Sequence, residues 1–149
     1  MTDGLHEKVV RLSANLARVS ASQIQEAIFS ALAQIGEQIT ADRAYMFAFS
    51  EPDGTLDNVL EWCDADIPRE QHRNRNIPCS RYPWLMRQLC NGSCLAVDDV
   101  ASLPAEALTE KNDLQEQQIR SMLLLPLKQG DQLFGFIGFD SVRGYCQWP

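Results

Sequence analysis

The side chains best suited to bind a small molecule lie in two strand-like segments and in the chain that follows them. Arg43 and Glu61 supply charge there, one in each segment, and aromatic side chains surround them. Small-molecule sites are mostly apolar with a few polar anchors, which this mixture matches. The candidate ligand-binding residues are Arg43, Tyr45, Phe47, Glu61, Trp62, Trp84 and Phe136. Plain core packing is the commoner role for such aromatics.

A second charged residue, Asp140, closes the last strand pattern of the chain. If that strand pairs antiparallel with the first, Asp140 lies beside Arg43, and Glu61 is near enough to compete. One interpretation is a structural ion pair at the rim of the sheet, since breaking a half-buried pair is costly. The other is a polar handle at the mouth of a pocket. We predict the Arg43–Asp140 pair under either interpretation.

Catalytic arrangements are missing from the pattern. His72 belongs to no recognisable motif and lies in a predicted loop. Asp98 and Asp99 are adjacent on a strand end, where neighbouring side chains point in opposite directions. Gly135 and Gly138 lie inside a strand pattern, not at the strand-to-helix turn of a phosphate-binding loop. We therefore expect no enzymatic activity.

The cysteines predict neither a metal site nor disulfides. Five of them make an odd number without framework spacing, which indicates free thiols in a reducing compartment. Cys90 and Cys94 form a lone C-x3-C pair, and the chain has only two histidines to complete a structural zinc site. We expect no bound metal, and the identity of any cofactor is left unknown.

The length and net charge of the chain limit the kinds of protein and partner that fit it. A chain of 149 residues suits a single domain with one core. The formal charge of −7 disfavours a nucleic-acid partner, which requires a basic surface. The start of the chain resembles no secretory signal, and no apolar run approaches the roughly 20 residues of a membrane span. We expect a cytoplasmic protein with no nucleic-acid or membrane partner.

Two helical patterns open the chain. Apolar residues in the first follow the seam of a coiled coil, at Leu5, Val9, Leu12, Leu16 and Val19. Residues 20–22 then interrupt, and Ser22 with Gln25 caps a second helix. Its apolar stripe, expected to pack on a sheet, is Ile24, Ile28, Leu32, Ile35 and Ile39. We predict that residues 1–20 form a linker or dimerisation helix, giving a homodimer, and that residues 21–149 form the domain.

A β-hairpin follows. Its strands are residues 43–50 and 56–63, joined by the turn residues 51–55. Pairing across that turn predicts Phe47 opposite Val59, Tyr45 opposite Glu61 and Arg43 opposite Cys63. Arg43, Tyr45 and Phe47 then share one face of the sheet with Glu61.

The rest of the chain contains a long segment of helices and loops with one short strand, here called the excursion, and then a second hairpin. Residues 64–83 form a charged, proline-containing segment, followed by a helix over 84–90, a strand over 94–97 and a helix that begins near Pro104. The charged residues of that last helix are expected to face water: Glu106, Glu110, Lys111, Asp113 and Glu116. Buried strands at 122–127 and 133–140 complete the pattern. The excursion has few apolar residues to cover an aromatic sheet face, so we predict a cavity between the two.

These segments together resemble the GAF domain family, from about Ser22 to Trp148. The resemblance rests on Ala41-Asp42-Arg43-Ala44-Tyr45, Glu61-Trp62-Cys63, Asp98-Asp99-Val100, Leu103-Pro104, Ile119-Arg120-Ser121, Leu125-Pro126-Leu127 and the run Gly135 to Val142. It implies an α+β fold, with a central antiparallel sheet of five or six strands, helices on one face and the helical or loop excursion on the other. These sequence segments are most similar to those of the branch found in bacterial PAS/GAF-containing diguanylate cyclases and sensor histidine kinases.

The chain also departs from the family. A long helix follows the last strand in family members, whereas this chain reaches Pro149 where that helix should begin, so we expect an excised piece or a truncated module. The Asn-Lys…Phe…Asp-Glu signature of the cyclic-nucleotide branch is missing. Bilin-binding relatives place histidine next to the attachment cysteine, but here Cys79 precedes Ser80.

The resemblance therefore predicts a regulatory domain that senses an unidentified small-molecule ligand and transmits its state through the terminal helices to an output domain. Two alternatives stay open. One is a ligand-free dimerisation or interaction module. The other is a thiol-based redox domain of the methionine sulfoxide reductase type, in which the cysteines would react.

Overall fold

A computed structural model of the chain describes residues 2–50, 53–92 and 94–149, without the side chains of residues 2, 3, 5 and 12–20. It divides into two units, Met1–Ala31 and Leu32–Pro149. The first is helical, and the second contains the sheet with its flanking elements. No described helix is long and apolar enough to cross a membrane.

The helical start is one helix, α1, which spans Thr2–Gln38. The predicted break at residues 20–22 is wrong, because serine and alanine are tolerated in helix interiors and no proline or glycine stands there. Of the predicted seam, Val9 is 53% exposed, while the side chains of Leu5, Leu12, Leu16 and Val19 lie outside the described residues.

Only part of the second apolar stripe is buried. Leu32, in the sheet-containing unit, is buried, whereas Ile24 and Ile35 are exposed. Gly36 approaches Trp62 so closely that a Cβ on Gly36 would lie 2.7 Å from Cζ3 of the indole ring. The end of α1 therefore contacts the sheet through a glycine and a tryptophan, and not through the predicted row of isoleucines.

The sheet has six antiparallel strands in the order β3-β2-β1-β6-β5-β4, which confirms the predicted α+β fold. Its strands are β1 (Arg43–Ser50), β2 (Thr55–Cys63), β3 (Ile77–Pro78), β4 (Leu95–Val97), β5 (Ser121–Gln129) and β6 (Gln132–Ser141). The sequence analysis did not predict β3, because two residues carry no strand periodicity.

The first hairpin has the predicted register at one end only. Arg43 lies opposite Cys63 and Tyr45 lies opposite Glu61, but Phe47 lies opposite Asn58. A β-bulge after Met46 inserts one extra residue, so the predicted pairing of Phe47 with Val59 is wrong. The bulge turns Asn58 to the buried side, where it is 2% exposed, and leaves Val59 exposed.

Two glycines of β6 face β1 where there is no room for a side chain. Arg43 pairs with Asp140 in the backbone register, and Tyr45 pairs with Gly138. A Cβ on Gly138 would lie 2.2 Å from Cε2 of the Tyr45 ring, and a Cβ on Gly135 would lie 2.2 Å from the carbonyl oxygen of Phe47. Glycine at these positions lets the tyrosine ring lie across the neighbouring strand.

Two helices of the excursion complete the fold. Helix α2 spans Pro83–Cys90 and begins with proline in its first turn, where a missing N–H costs nothing. Helix α3 spans Leu108–Glu116 and follows a short 3₁₀ turn at Ala105–Ala107. Together with the loop between β2 and β3, these helices cover the sheet face that carries Tyr45, Phe47 and Phe136.

A candidate ligand cavity beneath the excursion

A cavity of about 70 Å³ lies between that sheet face and helices α2 and α3. On this scale a buried water needs roughly 10–15 Å³, so the space suits about 5–7 waters or a molecule with a similar number of heavy atoms. Its walls are mainly apolar. The cavity is therefore small, with room for a metabolite of low mass.

Six of the seven candidate residues line this cavity: Arg43, Tyr45, Phe47, Glu61, Trp84 and Phe136. Trp62 does not line it. It follows Glu61 on β2 and therefore points to the opposite sheet face, where it contacts Gly36 of α1. The expectation that Trp62 belongs to this set is corrected by the alternation of side chains along the strand.

Stacked aromatic rings form the apolar floor. The rings of Phe47 and Phe136 stack with centroids 4.8 Å apart, and Tyr45 meets Phe47 edge to face at 5.6 Å. Such arrangements contribute about 0.5–1.5 kcal/mol beyond the area they bury. The floor is therefore an apolar surface of rings in contact with one another.

Tyr45 and not Arg43 is the hydrogen-bond partner of Asp140. The Tyr45 hydroxyl donates to Oδ1 of Asp140 over 2.7 Å. Burial raises the pKa of Asp140 to about 7, although the positive charge of Arg43 and the tyrosine hydrogen bond both oppose that rise. Burial, together with Asp140, also raises the pKa of Tyr45. The predicted Arg43–Asp140 ion pair is therefore wrong, because the Asp140 carboxyl group bonds to Tyr45 instead. The two residues do lie opposite each other in the backbone pairing of β1 with β6.

The Arg43 guanidinium is 1% exposed and only partly paired. Its Nη2 donates to the carbonyl oxygen of Gln117 over 3.0 Å, and its Nη1 lies 3.8 Å from Oε1 of Glu70. Nε and Nη1 have no hydrogen-bond partner among the described residues. Arg43 is therefore a buried cation with donors to spare, which is costly unless something else accepts from them.

Glu61 holds the excursion to the sheet. Its carboxylate accepts from the backbone N–H groups of Glu70 and Gln71 over 3.1–3.2 Å. It also lies 3.9 Å from Nε of Arg69. The predicted competition of Glu61 for Arg43 is not what the structure shows, because its oxygens accept from the loop backbone.

The sequence analysis missed Glu110, which it expected to face water. Glu110 is 3% exposed and lines the cavity from the first turn of α3. Its Oε2 accepts from the backbone N–H of Leu85 over 3.3 Å, while Oε1 has no partner in the described part of the chain. One sequence signal pointed inward: Leu114 is four residues away and shares its helix face.

Two further residues line the cavity: Asn58, which the sequence did not single out, and Asp113, which was wrongly expected to face water. Oδ1 of Asn58 is buried and has no partner among the described atoms. Asp113 accepts from Tyr82 over 2.6 Å and from Arg81 over 3.0 and 3.1 Å. These bonds lower the pKa of Asp113 against the effect of its burial. Asp113 therefore joins α3 to the start of α2 at the edge of the cavity.

No group of three or more histidine, cysteine, aspartate or glutamate side chains suited to a metal ion occurs among the described residues. All five cysteines are free. Burial raises the pKa of Cys63 to about 11 and also raises the pKa of Cys79.

The sequence profile of the GAF domain matches residues 23–149, and the chain belongs to this family. GAF domains are sensory and regulatory domains and are not catalytic themselves. Relatives in the family bind ligands or chromophores within larger signalling proteins that include kinases and photoreceptors.

One sequence relative is the methanogenesis regulatory histidine kinase FilI of Methanothrix harundinacea. The two sequences are 29% identical over an alignment of 129 residues, which covers 84% of this chain and 14% of the kinase. This chain thus corresponds to a small part of that protein.

Two solved structures show the fold. The blue-light absorbing form of the Thermosynechococcus elongatus PixJ GAF domain is 27% identical with a TM-score of 0.66, covering 87% of this chain and 76% of that one. A phycocyanobilin-bound GAF domain from a cyanobacterial phytochrome is 19% identical with a TM-score of 0.67, covering 87% and 79%. The second similarity concerns the fold alone.

Proposed function

We propose that this domain is a regulatory sensor that binds a small molecule in the cavity beneath α2 and α3. The observation that carries the proposal is a set of buried polar atoms in its wall, on Arg43, Asn58 and Glu110, that have no partner in the described part of the chain. An unsatisfied buried polar group costs about 1–3 kcal/mol, and more when it is charged. A bound ligand that pairs with these atoms offsets that cost.

The ligand state has a route to α1 through strand β2. Glu61 holds the loop backbone on the cavity side, and the next residue, Trp62, contacts Gly36 near the end of α1 on the other side. A ligand that shifts the loop changes the strain on β2 and with it the Trp62–Gly36 contact. Binding then favours one of two arrangements at the helix end.

We further propose that the domain belongs to a bacterial signalling protein and regulates a histidine kinase or diguanylate cyclase output domain. The histidine kinase relative supports the first of these outputs. In this proposal the protein is cytoplasmic, with neither membrane nor nucleic-acid partner, residues 1–20 form the linker or dimerisation helix and residues 21–149 form the sensor.

Dimerisation through the N-terminal helix is a separate proposal. Val9 and Val10 are both more than half exposed there, so the helix carries apolar surface that a second copy would cover. Deleting residues 1–20 should convert a dimer to a monomer in light scattering. An unchanged mass after the deletion would remove this proposal and leave the sensor proposal intact.

The two alternative functions have less support. A ligand-free module gains nothing from the unpaired polar atoms in the cavity wall. A thiol redox domain needs a cysteine with a lowered pKa, because the thiolate is the nucleophile, whereas burial raises the pKa of Cys63 to about 11.

A bilin chromophore also fits poorly, although one structural relative binds phycocyanobilin. A cavity of about 70 Å³ is far below the roughly 300–1,000 Å³ of sites for drug-sized ligands, and a tetrapyrrole is at least that large. Cys79, the candidate for attachment, does not line the cavity.

Native mass spectrometry of the 149-residue chain purified from cell extract tests the sensor proposal. We expect a retained molecule of low mass that is released on denaturation. The matched variant is Leu114→Trp, which fills the cavity from α3 and should carry no such molecule while circular dichroism shows a folded domain. Equal retention by both proteins would place the binding elsewhere and contradict the proposal.

A further inference from the structure

The unpaired polar atoms of the cavity have opposite charge. Arg43 offers N–H donors from Nε and Nη1, whereas Glu110 offers the acceptor Oε1. Both side chains are more than nine-tenths buried and both line the cavity. Asn58 adds a second unpaired acceptor, Oδ1.

These two charges lie toward opposite ends of α3. Nη2 of Arg43 donates to the carbonyl oxygen of Gln117, just beyond the last turn, and Glu110 belongs to the first turn. Glu110 and Gln117 are seven positions apart in the chain, so their backbones are about 10 Å apart along the helix axis at 1.5 Å per residue. The cavity therefore has free donors of a cation at one end and a free acceptor of a carboxylate at the other, here called the positive end and the negative end.

A ligand with one charge fits only half of this arrangement. An anion pairs with Arg43 but leaves the Glu110 oxygen unpaired. A cation pairs with Glu110 but leaves the Arg43 donors without an acceptor. A molecule with both charges pairs with each end.

The free donors and the free acceptor lie at opposite ends of α3, which favours a ligand whose own two charges are apart from each other. An α-amino acid carries its amine and carboxylate on one carbon, whereas two or three methylenes between the two groups separate them along the cavity. The stacked rings of Phe47 and Phe136 supply an apolar surface for those methylenes.

We propose that the ligand is a small ω-amino acid, with its carboxylate on Arg43 and its ammonium group on Glu110. This inference rests on the proposed sensor function and names the class of molecule sensed. The ammonium group has three N–H donors, which matches the two unpaired acceptors of the wall, Glu110 Oε1 and Asn58 Oδ1. A molecule with two or three methylenes has six or seven heavy atoms, about the number of waters that the cavity volume accommodates.

Isothermal titration calorimetry of the 149-residue chain with four probes tests the proposal. The probes are 4-aminobutanoate, its isomer 2-aminobutanoate with the charges adjacent, butanoate without the amine and butylamine without the carboxylate. We expect 4-aminobutanoate to bind at least tenfold more tightly than each of the others. Equal affinity for 2-aminobutanoate or butanoate would overturn the assignment.

Two glutamate variants identify the negative end. Glu110→Gln keeps an oxygen for the Leu85 N–H but loses the charge, so the affinity for 4-aminobutanoate should fall at least tenfold and that for butanoate should stay or rise. Glu106→Gln is the matched control, because Glu106 is exposed in the turn before α3, and it should change neither affinity. An unchanged affinity for 4-aminobutanoate in Glu110→Gln would overturn the pairing.

The positive end needs a variant that folds. Arg43→Lys keeps the buried charge but loses the guanidinium geometry, and we expect weaker binding of both 4-aminobutanoate and butanoate with a native circular dichroism spectrum. Unchanged binding of both would overturn the role of Arg43. If none of the probes binds while Leu114→Trp still abolishes retention of a cellular molecule, the ligand class is wrong and the sensor stands. If neither binding nor retention occurs, both proposals fail.

Discussion

The two faces of the sheet are built in different ways. Where α1 ends, Gly36 and Trp62 meet so closely that even a methyl group would overlap the indole ring. On the other face the excursion leaves a cavity of about 70 Å³, with buried polar atoms unpaired. Close packing gives one arrangement of lowest energy, whereas a void with unpaired charges stays costly until it is filled. The first face therefore contributes stability, and the second carries a cost that a bound ligand would offset in the proposed function.

The largest expected effect is a pH dependence that comes from the cavity face. The folded-state pKa of Asp140, raised to about 7, lies above the ordinary value near 3.8 that applies when the chain unfolds. Because the pKa of Asp140 is higher in the folded than in the unfolded chain, its contribution to the free energy of unfolding is fully present below about pH 4. That contribution is lost as the pH rises through about 7. We expect the free energy of unfolding to fall by up to about 4 kcal/mol between pH 4 and pH 7.

Urea denaturation at several pH values measures this change. Asp140→Asn removes the titrating group while it retains an acceptor for the Tyr45 hydroxyl, so its stability should vary much less over the same range. The groups that act on Asp140 are Arg43, Tyr45, Glu61 and Asp42. Stability that rises from pH 4 to pH 7 in the parent protein, or the same slope in the variant, would contradict the assignment.

The packed face should respond to added volume. Gly36→Val introduces branched carbons where the indole ring of Trp62 already lies, and overpacking of this kind costs about 1–3 kcal/mol. Gly4→Val, in the same helix with nothing within 4 Å of the added Cβ, is the matched control. Thermal denaturation should show a clear loss for the first variant and a small change for the second. Similar losses in both would show that helix propensity and not the Trp62 contact decides the result.

The smallest expected effect is a gain in stability on the cavity face. Glu110→Gln removes a buried charge whose Oε1 is unpaired, while an amide oxygen still accepts from Leu85. We expect the ligand-free domain to become more stable by about 1 kcal/mol, the reverse of the usual effect of a buried substitution. Urea denaturation measures it, with Glu106→Gln as the near-neutral control. A loss of stability in Glu110→Gln would mean that the carboxylate is already satisfied without a ligand.

Much of the architecture was predictable because it depends on local periodicity and turn chemistry. Alternating residues in β1 and β6 predicted strands, and helix α2 was predicted within one residue of its start. The antiparallel pairing of the first and last strands then placed Arg43 beside Asp140 in register, as observed. The sequence by itself thus determined five of the six strands, the pairing of the first strand with the last, and the aromatic face.

Only the tertiary structure decided which polar groups meet across that face. The bulge after Met46 depends on how two strands twist together, and it brings Asn58 inward. Asp140 bonds to Tyr45 because Gly138 leaves room for the ring, a relation between residues on two strands. Glu110 looks like a surface residue in its own helix, and it is buried because α2 and the sheet close over it. Local patterns determine elements, whereas partners distant in sequence determine which charges are paired and which stay unpaired.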